Sequence, residues 1–294
     1  MKGSTVMKKE EINIRDPFVL YENGKYYLYG TRAKSFGYHT KGFDVYVSEN
    51  LRDWSEPIEC MDSEKNGLDS GVNWAPEVHK YKDKYYMFAT FTQENGLRGT
   101  YSLRAESPMG PFLSHSKGAL TPNAWECLDG TLYIEELGAP YLVFCHEHTQ
   151  ILDGTICYAR LSEDLDALDG EVITMFCASS VPNVTPIKQT HYVTDGPFMY
   201  RSKTGELFMI WSSFIKGNYA EFAVKFKEGR LGTDFEHMEP LLDSDGGHGM
   251  IFSDGKHTYF TYHTPNKSLS ERPEFCMIED HGDLIRIERK AEKV

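Results

Sequence analysis

Long hydrophobic runs are missing from this 294-residue chain, and none approaches the roughly 20 residues that cross a bilayer. Basic residues are scarce too: 31 lysines and arginines stand against 44 acids, a net charge of −13. That balance disfavours nucleic acid and anionic membrane surfaces as partners, since both attract a basic face. No CxxC occurs, and Cys60, Cys127, Cys145, Cys157, Cys177 and Cys276 have no metal-like spacing. Several fall inside apolar runs such as Leu142-Val143-Phe144-Cys145, so they read as buried free thiols rather than disulfides or metal ligands. Long helical periods and Pro- or Ser-rich linkers are also absent, which predicts a single domain over residues 1–294 with residues 1–10 frayed. MKGSTVMKKEEIN has lysines but no apolar core behind them and does not read as a signal peptide. The chain as given is expected in the cytoplasm, or in the periplasm or outside the cell if a leader has been removed.

What is abundant is aromatic. Tyr (18) and Phe (17) lead a 13% aromatic content, which suits sheets better than helical bundles. IRDPFVLYENGKYYLYGT, residues 14–31, reads as strand, Asn-Gly turn, strand. The pattern recurs at APEVHKYKDKYYMFAT, DGTLYIEELGAPYLVFCH, DGPFMYRSKTGELFMIWSS and GGHGMIFSDGKHTYFTYHT. With Asp16, Ala75, Asp129, Asp195 and His248 taken as heads, the copies are spaced by 53 to 66 residues. A period of this size with two strands visible per copy marks a radial repeat. Third strands such as Phe43–Val47 and Thr155–Arg160 complete the expectation of an all-β, five-bladed β-propeller.

In a propeller the innermost strands line a central channel, so five heads distant in sequence converge at one mouth. Asp16, Asp129 and Asp195 are read as equivalent positions in three blades. Carboxylates brought together this way repel one another, and at least one pKa should rise. One use for such a cluster is glycoside hydrolysis, where one carboxyl protonates the leaving oxygen and another activates water. The plainer alternative is that each aspartate caps a turn.

The motifs Arg15-Asp16-Pro17-Phe18, Trp74-Ala75-Pro76-Glu77-Val78, Asp129-Gly130-Thr131-Leu132-Tyr133, Asp195-Gly196-Pro197-Phe198 and Gly247-His248-Gly249 span all five blades. In this order the chain resembles glycoside hydrolase family 43, five-bladed propellers that cleave arabinose- and xylose-containing polysaccharides with inversion. The resemblance implies that Asp16 is the general base, that Asp129 tunes and orients the acid, and that the acid lies in the fourth blade. There the sequence departs from the pattern, because Asp195 stands where the family usually has glutamate. Its carboxylate reaches about 1.5 Å less far, so Glu147 and Glu77 are alternative donors or substrate-binding groups.

Channel residue His248 resembles the histidine that faces a metal ion or water in many relatives. That implies a structural calcium on the axis, with no cofactor required for the chemistry. His146-Glu147-His148 puts two imidazoles on one face of a strand but lacks a third zinc ligand. Sugar rings stack on aromatic faces, which makes Trp74, Phe36 and Trp125 candidate subsite walls, and Arg272 a candidate for binding substrate hydroxyls. Two rival readings share the scaffold: a carbohydrate-binding propeller without hydrolysis, and a glycoside phosphorylase. The second needs a phosphate site, and no cluster of Arg, Lys and His heads supplies one.

Overall fold

The computed structural model describes residues 6–33, 41–68 and 71–288. Phe36 and most of the loop around it lie outside the described residues. Among the described residues the chain is almost entirely strand and turn, with one short α-helix at His148–Ile151 and single 3-10 turns at Lys9–Glu11, Ala178–Ser180 and Lys227–Gly229, and no helix is long and apolar enough to cross a membrane.

Blade 1 begins with an outer strand, β1 (Met7–Lys8), followed by β2 (Ile14–Glu22), β3 (Lys25–Arg32), β4 (Phe43–Ser48), β5 (Asp53–Trp54) and β6 (Ile58–Met61). Its order is β1-β5-β4-β3-β2, with β6 also on β4. Blade 2 comprises β7 (Asn73–Tyr81), β8 (Lys84–Thr92), β9 (Arg98–Ala105) and β10 (Leu113–Ser114). Blade 3 comprises β11 (Cys127–Ile134), β12 (Pro140–His146), β13 (Thr155–Arg160) and β14 (Ile173–Cys177). Blade 4 runs through β15 (Asp195–Arg201), β16 (Leu207–Ile215), β17 (Asn218–Phe226) and β18 (Phe235–His237). Blade 5 is β19 (Gly247–Ser253), β20 (Thr258–Thr264), β21 (Arg272–Asp280) and β22 (Ile285–Ile287). The last four sheets each run in simple sequence order. The fold is the expected five-bladed β-propeller.

Local chemistry explains the hairpins. Asn23 and Gly24 both have positive φ (51° and 78°), the geometry of a type I′ turn, whose twist matches that of the paired strands. Alternating apolar residues then fill the spaces between blades. Phe176 packs edge-on against Trp211 at 5.2 Å, and Trp54 stacks on Phe275 at 5.7 Å. All six cysteines are free thiols, four of them buried.

One irregularity repeats in every blade and builds the site. The pairing of the innermost strand with its neighbour slips after Arg15, Trp74, Leu128, Asp195 and Gly247. The next residue is in each case left-handed: Asp16 (52°), Ala75 (47°), Asp129 (55°), Gly196 (49°) and His248 (50°). Such a bulge bends the strand and re-aims its side chains. This corrects the alignment read from sequence. The fourth-blade counterpart of Asp16 and Asp129 is Gly196, and Asp195 stands one residue earlier, level with Arg15, Trp74 and Leu128. The sequence offset was invisible because "Asp-Gly" and "Asp-Pro" both look like turn heads.

Each bulge also points a backbone N–H toward the preceding blade. Ala75 donates to Thr31 Oγ1 at 2.7 Å, Asp129 to Thr90 Oγ1 at 3.0 Å, His248 to Ser212 Oγ at 2.6 Å and Asp16 to His263 Nδ1 at 3.3 Å. These acceptors sit at one repeat position: Thr31, Thr90, Ser212 and His263 lie opposite Arg15, Trp74, Asp195 and Gly247.

Candidate active site

Where the innermost strands converge they enclose a cavity of about 360 Å³, lined by Asp16, Asp129 and Asp195 together with Arg15, Trp74, Arg98, Leu128, Glu147, His148, Tyr219 and His248. Ile187, Val193 and Phe214 supply apolar wall, and Thr149, Asn266 and Ser268 supply polar wall. The mixture suits a sugar, which offers both hydroxyls and an apolar ring face.

Asp16 is buried and densely held. Its Oδ2 accepts from Thr31 Oγ1 at 2.6 Å, and Oδ1 lies 3.2 Å from His248 Nδ1 and 3.8 Å from Arg15 Nε. Burial opposes ionisation, but His248, Arg15 and the Thr31 hydroxyl outweigh it and hold this carboxyl below its usual range. His263 acts as a neutral acceptor here. Burial and then Arg15 push it down to about 3, consistent with its Nδ1 taking the Asp16 N–H.

The other two carboxyls have the opposite surroundings. Burial, then the Asp16 charge, pushes Asp129 well up, although the Gly196 N–H donates to its Oδ2 at 3.0 Å. Burial and then Asp129 push Asp195 up to about 7, against His248 and a 3.0 Å hydrogen bond from Tyr219. The pair therefore keeps a proton near neutral pH, and that proton belongs to both groups jointly. One cavity thus holds an ionised carboxylate and a protonated one, the division of labour that acid–base catalysis needs.

Several expected residues stand elsewhere. Trp74 and Glu147 line the cavity, but Glu147 is locked: Arg98 lies 2.8 Å and His148 Nδ1 2.9 Å from its oxygens. Despite burial, His148 and Arg98 bring it down to about 2. Glu77 pairs with His79 Nε2 at 2.9 Å and does not line the cavity. Trp125 stacks on His146 at 4.2 Å, also outside the lining. The Arg272 guanidinium donates to the carbonyls of Glu10 and Glu271 at 2.6 and 2.7 Å, so it binds backbone at the seam between blades 5 and 1.

Sequence reasoning missed Arg15, Arg98 and Tyr219 as site residues. Arg15 had a signal, standing beside Asp16 in the first motif. Arg98 and Tyr219 begin strands with no distinguishing pattern, and only blade packing brings them in. Arg98 lies over the Trp74 ring at 5.0 Å, and it also pairs with Glu126.

A calcium ion beside His248 would need an oxygen-rich cage. His248 instead turns Nδ1 toward the Asp16 and Asp129 carboxylates, at 3.2 and 3.8 Å. Among the described residues no group of three or more His, Cys, Asp and Glu side chains is arranged to hold a metal. Side chains alone do not make the cage.

Comparison with known proteins follows the same line. The chain is similar to an endo-arabinase from Bacteroides thetaiotaomicron, with 35% identity, TM-score 0.87 and coverage of 96% of this chain and 100% of that one. A thermostable family-43 glycoside hydrolase shares the fold at 24% identity and TM-score 0.81, over 96% of this chain and 95% of that one. So does an endo-1,4-β-xylanase from Bacteroides thetaiotaomicron, at 21% identity and TM-score 0.79, over 97% of each chain. No curated protein sequence matches it. The model of glycosyl hydrolases family 43 matches residues 11–288, so the chain belongs to that family and is a glycoside hydrolase.

Proposed function

We propose that the enzyme hydrolyses arabinofuranosyl or xylosyl linkages of plant polysaccharides with inversion, arabinan being the first substrate to try. The carrying observation is the split in proton affinity within one cavity: Asp16 held low, Asp195 raised to about 7. In this reading Asp16 accepts a proton from the attacking water. Asp195 donates one to the leaving oxygen, and Asp129 keeps that proton on the pair by like-charge repulsion. Glu147 is a poor donor because its contacts with His148 and Arg98 hold it down at about 2. The arabinan preference leans on the endo-arabinase at 35% identity.

The experiment is hydrolysis of linear arabino-oligosaccharides and xylo-oligosaccharides, with the anomer of the first product read by ¹H NMR. Inverted product from either series supports the proposal. A retained anomer overturns it, and absence of turnover on both returns the chain to the carbohydrate-binding reading.

A further inference from the structure

The ring of inter-blade hydrogen bonds is broken at one place. At the repeat position occupied by Thr31, Thr90, Ser212 and His263, blade 3 carries Cys145, which lies opposite Leu128 in the same register. Cys145 is fully buried. A thiol sulfur is a weak acceptor, whereas a buried N–H without a partner is costly. The bulge N–H of blade 4 belongs to Gly196, and it turns instead to Asp129 Oδ2 at 3.0 Å. No other left-handed bulge residue gives its N–H to a carboxyl group: Ala75, Asp129, His248 and Asp16 all donate to hydroxyl or imidazole side chains of the preceding blade's second strand.

Gly196 itself is required for this arrangement. Its φ of +49° is one that the other four bulge residues adopt with side chains, but a Cβ here would meet His248 Cδ2 at 2.7 Å, so the space for one is missing. The result is a buried hydrogen bond that fixes the Asp129 carboxyl group next to Asp195, the residue immediately before Gly196.

We propose that Cys145 is a positioning residue for the catalytic carboxyls. By lacking a strong acceptor where the other four blades have one, it leaves the Gly196 N–H to hold Asp129. A hydroxyl at position 145 would have the geometry already realised at 2.6 to 3.0 Å in three other blades, and would take that N–H away. The inference rests on the role assigned to Asp129 in the proposed function.

The test compares Cys145→Ser and Cys145→Thr with Cys145→Ala, measuring kcat, KM, thermal stability and the Gly196 amide proton resonance. The hydroxyl variants should lose kcat by about tenfold, the weight of one buried hydrogen bond, with KM within about twofold. Their Gly196 amide resonance should move upfield as its acceptor changes from carboxylate to hydroxyl. Cys145→Ala leaves a small cavity but offers no acceptor. It should keep the downfield resonance and turn over about ten times faster than Cys145→Ser, even where it is less stable. A purely structural cysteine predicts the reverse order, with alanine the most damaged. An unmoved resonance and wild-type kcat in Cys145→Ser overturn the proposal, as does an equal fall in kcat for alanine and serine. If the wild-type protein hydrolyses nothing, the functional reading fails, while the resonance still decides which acceptor the Gly196 N–H takes.

Discussion

Two seams of the ring are built differently. Between blades 3 and 4 the chain is continuous, and the interface is an apolar cluster that includes Leu128, Cys145, Phe176, Met209 and Trp211. Apart from Asp129 and Asp195 at the channel end, charged groups sit at its rim, where Arg201 meets Tyr133 at 2.7 Å and Glu136 at 3.2 Å. Between blades 5 and 1 no chain runs directly across, because every blade is built from its own stretch of sequence. This seam adds directional groups to its apolar contacts. Arg15 bonds Glu271 at 2.9 Å with both buried. Asn13 donates to the Glu271 carbonyl at 2.7 Å, and Tyr26 to Asp254 at 3.0 Å.

Apolar packing is non-directional and suffices where the connecting loop already limits sliding. Where two ends must find each other, paired charges and amides fix the register. The same contrast sets the chemistry. Asp16 lies on the seam with Arg15 and stays ionised, whereas Asp129 and Asp195 meet across the apolar seam and hold a proton.

The largest effect should come from Asp16→Asn, which removes the proposed base and keeps the shape. Hydrolysis should fall by about 10²–10⁴-fold while the circular dichroism spectrum is retained. A variant with half of wild-type activity would remove Asp16 from that role.

Next is a direct test of the two seams. Arg15→Met strands the buried Glu271 carboxylate and should cost about 3–5 kcal/mol in denaturant unfolding. Phe176→Leu, at the apolar seam, should cost roughly 1–2 kcal/mol. If the two losses were equal, or reversed, the closing seam would not depend on its ion pair.

Glu221 offers an intermediate case. It is buried in blade 4, and its Oε2 accepts from Ser212 Oγ at 2.6 Å and from the Gly249 N–H at 3.2 Å. Burial pushes it up to about 7 from an ordinary 4.5, against those two bonds. A carboxyl raised on folding contributes no penalty below the ordinary value and destabilises progressively as pH rises toward the folded one. Wild-type stability should therefore decline between pH 4.5 and about 7 through this group. Glu221→Gln, neutral throughout, should flatten that slope, with a gain reaching about 3 kcal/mol at the alkaline end. Parallel unfolding curves for the two proteins across this range would rule Glu221 out as the cause.

The smallest effect is a shift in a pH profile. With Asp195 as the proposed acid, kcat/KM should fall as pH rises through about 7. Arg15→Met removes a cation from Asp16 and should move the acidic limb to higher pH, leaving the alkaline limb in place. Movement of both limbs together would mean that the seams do not tune the two carboxyls separately.

Much of the architecture was legible in the chain. Asn23-Gly24 and its flanking aromatic runs announce a hairpin, and the recurring heads announce the blades. Asp16, Asp129, Asp195 and His248 could be placed at the channel mouth by the same logic, and all four line the cavity. Trp125 and Arg272 could not be judged this way. An aromatic ring or a guanidinium near a blade end can face the cavity, another side chain or a neighbouring backbone, and the pattern is identical in each case. Arg98 and Tyr219 were missed for the same reason.

By itself the sequence determined the strands, the turns and the five-fold repeat, because alternation and turn chemistry act over a few neighbouring residues. Only the tertiary structure decided that Gly196, not Asp195, is the bulge residue of blade 4, and that Cys145 breaks the ring of acceptors. It alone joined Arg15 to Glu271, 256 residues away. Those outcomes depend on register and on contact across blade boundaries, where the free energy is fixed by groups that no local pattern brings together.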